Sequence, residues 1–577
     1  MLDTAEEAET RKKAKRGSSE EHEAVKALDR RFAALETIRS TWLKDWEQLA
    51  HYFRPRGFRR TQTDTNKASR KDFIDIINGR PIMAARTLAG GMMAGITSPS
   101  RPWFRLTVNG DDELKEDGDV KAWLADVEGV LRELIAQTNI YKVLPSLYED
   151  IGPFGVSAML VDEDEEDGAR AYHFTLGTYC LAASARGDID TLFRRTTRTV
   201  AQCIKKFGLE RCSEAIRNAA TAGRVDETVE LKHAIFPNDK HIPGAYGAEG
   251  KPWLSVWWEA ALPANAGFLR RAGYHEKPFM TPRWGTVGDD VYGHGQPGDL
   301  ALGDARALQT LEKRKGQAAE RIISPPMVAP SAAATSRLKL LPGQTDFVDA
   351  LGANQTLRPA FEVNHQALPA VSAEILIHQE RIDQAFYADL WLMLQNSERE
   401  MTAREVQERR EEKLLQLGTV LESLQDELLD PLIDRIFAIA LRQGRIPPAP
   451  EPLQGRPLKV EYISIMAAAQ KLLATTGIER IATFAANLAA VEPGVLDKLD
   501  VDQVIDELAD ALGVPPSIIR SDEAVAGLRQ ARAKQAQQQQ AVEQAAVGAK
   551  AAKDLGSIDA TSDTALSRIA KGLGVSL

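Results

Sequence analysis

Cysteine is scarce in this 577-residue chain, with only Cys180, Cys203 and Cys212 present. An odd number at those spacings fits neither a disulfide framework nor a zinc site, and it implies synthesis in a reducing cytosol. Long apolar runs are missing too. The longest uncharged stretches, Thr87–Ser100, Ala171–Ala185 and Ile323–Ser336, fall short of the ~18 residues that a spanning helix needs, so no membrane partner is expected. Met1–Arg31 carries eight basic and eight acidic side chains around no apolar core, which excludes a signal peptide. Positive charge is not in excess: 72 Lys and Arg stand against 82 Asp and Glu, a formal charge of −10. That balance argues against wrapping nucleic acid through bulk positive charge.

The signatures of catalysis are equally thin. No glycine-rich phosphate loop runs into Lys-Ser or Lys-Thr, so this chain is not expected to hydrolyse ATP. His22-Glu23 and His275-Glu276 each lack the second histidine of a zinc protease, and Gly155-Val156-Ser157 runs on into Ala158-Met159 rather than a nucleophile elbow. Gly293-His294-Gly295-Gln296-Pro297-Gly298 matches a dinucleotide fingerprint by spacing. The preceding Trp284–Tyr292 is polar and glycine-broken, however, so a turn that starts a helix is the better reading. The six acids Asp162–Asp167 lack the alternation and glycine of a calcium loop and read as a solvated hairpin tip. His378, on an apolar helix face, reads as a satisfied packing histidine. The expectation is a protein that is not an enzyme, with no cofactor and no metal.

What is present is the composition of a folded chain, 44% hydrophobic and 27% charged. The fold class expected is α+β, predominantly helical. Helical rhythm starts at Phe32 and stops at Arg54-Pro55, and a basic connector, Arg54–Lys71, follows with seven cations and one Asp. A second helix spans Phe73 to about Ile96. Its Gly90-Gly91 pair costs ~1 kcal/mol per glycine, which points to close packing against a neighbour. Val156–Val161 with Tyr172–Leu176, and Thr228–Phe236 with Trp253–Trp258, read as strand pairs. Three long helices follow: Asp299–Ile323, Leu368–Leu390 and one opened by the capping box Thr402-Ala403-Arg404-Glu405 and ended by Gly444. Pro431 should kink the last, and Leu458–Ile465 reads as a strand. The Ala/Gln-rich tail from Ala524 reads as frayed helix or a terminal bundle.

Several stretches, in order, resemble the portal (head-to-tail connector) proteins of short-tailed, T7-like bacteriophages. They are Leu35-Glu36 to Arg39 with Trp42, Trp46, Leu49-Ala50 and Pro55-Arg56; Leu88-Ala89-Gly90-Gly91-Met92-Met93-Ala94-Gly95-Ile96-Thr97-Ser98-Pro99 leading to Pro102-Trp103-Phe104; Asp150-Ile151-Gly152-Pro153-Phe154-Gly155; Ser324-Pro325-Pro326; and Met401-Thr402-Ala403-Arg404-Glu405-Val406. The match covers about Phe32–Gly444. Ser324 stands where related chains often carry an acid.

The resemblance implies a ring, usually of twelve subunits, at one capsid vertex around an axial channel for double-stranded DNA. By that likeness the chain divides into an N-terminal arm (1–31), an α+β wing (32–298), a stem helix (299–323), a clip (324–366), a second stem helix (367–390), a tunnel loop (391–401), a long kinked helix (402–444), a return strand of the wing (445–466), a helical crown (467–523) and a C-terminal tail or barrel (524–577). Trp391, Leu392, Asn396, Ser397 and Arg399 would be the tunnel-loop residues of the channel, and Lys313, Arg314 and Lys315 would stabilise stem packing. Other copies of the chain, double-stranded DNA, terminase, tail adaptors, and major capsid and scaffold proteins are the partners implied. The virion, with assembly in host cytoplasm, is the location. Two rivals stay open: an oligomeric virion or scaffold component without a channel, and a nucleotide-dependent enzyme using Gly293–Gly298.

Overall fold

The computed structural model describes residues 3–60, 75–108, 117–261, 267–323, 327–328, 358–359, 367–395, 418–453 and 458–462, with short pieces elsewhere, chiefly 525–539. The chain divides into two compact units, residues 1–109 with 123–477 and residues 110–122 with 478–577. In the smaller unit the Ala/Gln-rich segment is helical where described, and Arg529 forks onto Asp502 at 2.7 and 2.8 Å.

The larger unit opens with α1 (Asp3–Phe53) and α2 (Arg80–Gly95), then β1 (Phe104–Val108), α3 (Gly118–Gln137) and α4 (Ile140–Phe154). An antiparallel hairpin follows, β2 (Met159–Asp164) and β3 (Gly168–His173), then β4 (Tyr179–Ala183) and β5 (Ile189–Thr199). Two short helices, α5 (Val200–Phe207) and α6 (Glu214–Thr221), precede β6 (Thr228–Pro237), β7 (Trp253–Glu259), β8 (Arg270–Tyr274) and β9 (Phe279–Met280). The helical half comprises α7 (Gln296–Ile323), the strand pair β10 (Met327–Val328) and β11 (Arg358–Pro359), α8 (Ala367–Ala385), α9 (Ala388–Gln395), α10 (Gly418–Leu424), a π-helical turn (Gln425–Leu429) and α11 (Asp430–Arg442). β12 (Leu458–Tyr462) closes the unit by pairing antiparallel with β1, Leu106 opposite Val460.

The five-stranded sheet is an antiparallel meander, β4-β5-β6-β7-β8. Alternation sends successive side chains to opposite faces. One face carries Phe193, Ala234, Val256 and Trp258 and packs on Val25, Phe32 and Leu35 of α1. The other carries Leu231 and Trp257 and packs on Val200, Cys203 and Phe207 of α5 and Ile216 of α6. α5 starts with a reciprocal capping box: the Gln202 amide donates to the Thr199 hydroxyl, and the Thr199 amide donates to the Gln202 side chain, both at 3.3 Å. All three cysteines are buried and free, and they serve as small apolar residues. Burial pushes the Cys180 thiol up to about 12.

Three sequence expectations need correction. The residues read as a separate arm are continuous with α1: Val25 is fully buried in the sheet core and Asp29 receives Lys232, so the sheet's packing partner begins before residue 32. The acidic run Asp162–Asp167 is not all tip. Asp162, Glu163 and Asp164 sit in the β2 ladder, because the turn tightens at Gly168, whose φ of +81° suits glycine alone. The break near Pro431 lies one turn earlier than the proline. Pro431 has no N–H to donate, and the helix widens instead, the Asp430 amide reaching back to the Gln425 carbonyl. The capping box at Thr402–Glu405 lies outside the described residues.

Candidate functional site

The helical half is organised by the packed pair α7 and α8. As periodicity predicts, Ile375 and Ile382 are buried on one face of α8, and Phe386, just past its end, is buried too. On the same face His378 is satisfied, its Nδ1 lying 2.7 Å from Asp304 on α7. Gln309 of α7 accepts the amides of Ile77 and Asn78 at 2.8 and 2.9 Å and donates to the Asn78 carbonyl at 2.7 Å. Arg80, at the start of α2, then forks onto Asp383 of α8. The two helices thus hold the beginning of α2 between them.

α2 carries the glycines on which the resemblance rested. A Cβ on Gly91 would stand 2.1 Å from the ring of Trp391, and one on Gly95 would stand 2.8 Å from it, whereas Gly90 faces open space. The close packing expected of the pair therefore belongs to Gly91, with Gly95 one turn later. Trp391 is 3% exposed. Trp391 through Gln395, the first residues of the segment read as a tunnel loop, are helical, and the Trp391 ring fills a groove in α2. A small-residue stripe at i and i+4 accepts one large ring, and burying that ring's apolar area fixes α9 on α2. The side chain of Leu392, and Asn396, Ser397 and Arg399, lie outside the described residues.

Lys313 and Arg314 are exposed and Lys315 is half-buried on α7, without ion-pair partners among the described residues. Successive helical positions point in different directions, so the three do not form one patch. Apolar side chains are exposed on the same helix pair: Leu300 and Leu376 at 64% each, and Ile377 beside Leu376.

The π turn and α11 are fastened by arginines to the segments around β2 and β9. Glu427, on the π turn, takes the Arg283 amide and its Nε, both at 2.8 Å. Arg435 has no exposed surface. Its Nη1 lies 2.5 Å from Glu276, its Nε donates to the Val161 carbonyl at 3.3 Å, and its Nη2 lies 3.4 Å from Glu163. Arg442 joins the same two carboxylates. Burial raises the Glu276 carboxyl, but the guanidiniums of Arg442 and Arg435 outweigh it and hold the group below its ordinary value.

The basic connector divides between core and surface. Arg54 binds the fully buried Asp150 and donates to the Ser146 carbonyl at 2.7 Å, while Arg60 pairs with Glu47 at 2.5 Å on the surface. Residues 61–74 lie outside the described set. Asp150 also meets His173 Nε2 at 2.7 Å, and the same nitrogen lies 3.3 Å from Ser157 Oγ. A relay needs the two ring nitrogens to face base and nucleophile separately. Here one nitrogen faces both, and Ser157 is fully buried. The glycines of Gly293–Gly298 answer to packing as well: a Cβ on Gly293 would lie 2.2 Å from the Gly155 carbonyl oxygen, and one on Gly298 would lie 2.3 Å from that of Pro153. They let the start of α7 touch the end of α4. No group of His, Cys, Asp and Glu suited to a metal occurs among the described residues, and no described helix is long and apolar enough to cross a membrane.

The larger unit thus combines the packed helices α7 and α8 with an α+β portion to which α11 is clamped by arginines. The chain belongs to the bacteriophage head to tail connecting protein family, whose model matches residues 25–519. It is 40% identical over 548 residues to the portal protein of Salmonella phage epsilon15, covering 95% of this chain and 98% of that one. It is 39% identical over 547 residues to the probable portal protein of Bordetella phage BPP-1, with the same coverage. A chain from the virion of a native gene transfer agent particle aligns with 69% of this chain and 94% of its own at 10% identity, with a TM-score of 0.27, too low to speak to the fold.

Proposed function

We propose that this chain is a phage portal protein. Copies close into a ring, twelve in the form the family resemblance implies, at one capsid vertex, and the ring conducts double-stranded DNA during packaging and ejection. The observation that carries this reading is the match to two portal proteins along nearly their whole length. In this reading α7 and α8 are the stem, residues 324–366 are the clip, and the clip meets terminase during filling and a tail adaptor afterwards. Residues 391–401 hold the tunnel-loop positions, Trp391, Leu392, Asn396, Ser397 and Arg399, and the last three approach DNA most nearly.

Two properties of the chain support the reading. The exposed Leu300, Leu376 and Ile377 offer apolar area for a neighbouring stem, and Lys313, Arg314 and Lys315 offer charge, unpaired among the described residues, for its acids. A net charge of −10 per chain becomes −120 over twelve copies. Each neutralised phosphate strengthens DNA binding through released counterions, so a conduit works best with few cationic contacts. Energy for translocation comes from a partner ATPase. Native mass spectrometry of Leu376→Glu with Ile377→Glu tests the stem face: ring population falls while the far-UV spectrum is kept. Full ring formation by that variant would remove the stem from the subunit contact.

A further inference from the structure

The wing holds a cavity of about 110 Å³, several times the ~10–15 Å³ that one water needs. Its floor is a transverse row of the five-stranded sheet, in which Arg194, His233, Trp257 and Arg270 are paired in register across β5, β6, β7 and β8. Arg198 lies on the same strand face as Arg194, four residues on, and Lys206 comes from α5. The β2–β3 hairpin closes one side with Asp162 and Tyr172, and Lys251 and Tyr274 complete the wall.

The charges are unbalanced. Five cations, Arg194, Arg198, Lys206, Lys251 and Arg270, face one carboxylate, Asp162, a net of four positive charges. His233 does not add to them: its Nδ1 accepts from Arg194 Nε at 3.0 Å, so Nε2 carries the proton and donates to Ser255 Oγ at 2.9 Å, which is the neutral ring. Buried Arg198 Nε has no hydrogen-bond partner, and such groups are rare unless something absent satisfies them. Arg194 is held by π faces, 4.1 Å from Phe174 and 5.3 Å from Trp257, rather than by an acid. The Lys206 ammonium stands 4.3 Å from the Trp257 ring. Although Lys206 is exposed as a residue, desolvation of that ammonium and the neighbouring charges of Arg194 and Arg198 bring it down to about 8. Cations gathered from three elements without matching acids repel one another, and a bound anion relieves that repulsion.

We infer that this cavity is a binding site for a small phosphate-class anion, with Arg194, Arg198, Lys206 and Arg270 as the recognising groups. Guanidiniums match phosphate oxygens in a forked geometry, and a net of four positive charges favours pyrophosphate over inorganic phosphate. A cavity of about 110 Å³ is too small to admit duplex DNA.

Calorimetric titration of the full-length protein in chloride buffer tests this with pyrophosphate, inorganic phosphate, citrate and a DNA duplex. One pyrophosphate per chain is expected, bound more tightly than phosphate. Arg198→Gln and Arg270→Gln should each weaken it at least tenfold while circular dichroism and ring size stay as in the parent protein. The saturable shift of the pyrophosphate phosphorus resonance should vanish in the double variant, a readout that does not depend on heat. Absence of saturable binding, equal binding by both variants, citrate bound as well as pyrophosphate, or binding of the duplex alone would each overturn the assignment.

Discussion

Replacing Glu276 by Gln isolates the clamp between α11 and the segment joining β8 to β9. The substitution keeps shape and removes one charge. Arg435, with no exposed surface, then retains the Val161 carbonyl, the Tyr274 ring at 5.2 Å and Glu163 at 3.4 Å, whose side chain is 45% exposed. A guanidinium does not deprotonate in a protein, so the charge stays buried. Breaking a buried pair from one side costs about 3–5 kcal/mol, and a half-exposed acid gives back at most about 1. A loss of about 3 kcal/mol follows, roughly a 150-fold fall in the protection of β2 amides against hydrogen exchange. Arg435→Met should cost less, about 1 kcal/mol, because both carboxylates keep Arg442 and an apolar chain of similar length fills the space. The double variant should resemble Arg435→Met. Since the Glu276 carboxyl is held below its ordinary 4.5, its contribution is complete above that pH and is lost as pH falls through the lower folded value. The parent's protection should therefore drop below about pH 4.5, and that of Glu276→Gln should drop less. Single effects that add, or Arg435→Met costing more than Glu276→Gln, would refute the reasoning.

Other outcomes follow from the glycine groove and its ring. Gly91→Ala places a Cβ 2.1 Å from Trp391 and should destabilise by about 1–3 kcal/mol in a urea titration, whereas Gly90→Ala, with nothing within 4 Å, should stabilise by up to about 1. Trp391→Ala empties that groove and should cost about 3–5 kcal/mol in the same assay. It therefore acts on folding before any effect on genome retention. Thr199→Ala removes the cap of α5 and should cost about 1 kcal/mol, seen as faster exchange at the Gln202 amide.

Local chemistry made much of the architecture legible. Val229, Leu231, His233 and Ile235 alternate, and β6 with its partner β7 follows that pattern. The stripe Ile375, Ile382, Phe386 has helical spacing, and α8 with the turn that follows it buries all three. Thr199 and Gln202 form the same capping signal as Thr402 and Glu405 and were there to be found. Contacts between distant segments left no local mark. Nothing in Trp391's neighbourhood names Gly91 as its partner, and nothing around Arg435 names Glu276, 159 residues away. The basic cavity was hidden for the same reason: Arg194, Lys206 and Arg270 are unremarkable singly and meet only because strand register and α5 bring them together.

Electron microscopy of the purified full-length protein tests the portal reading most directly. The account predicts a closed ring with an axial hole about as wide as duplex DNA, its lining formed by the stem and by the segment after α9. A monomer, or a solid particle without an axial opening, would contradict it.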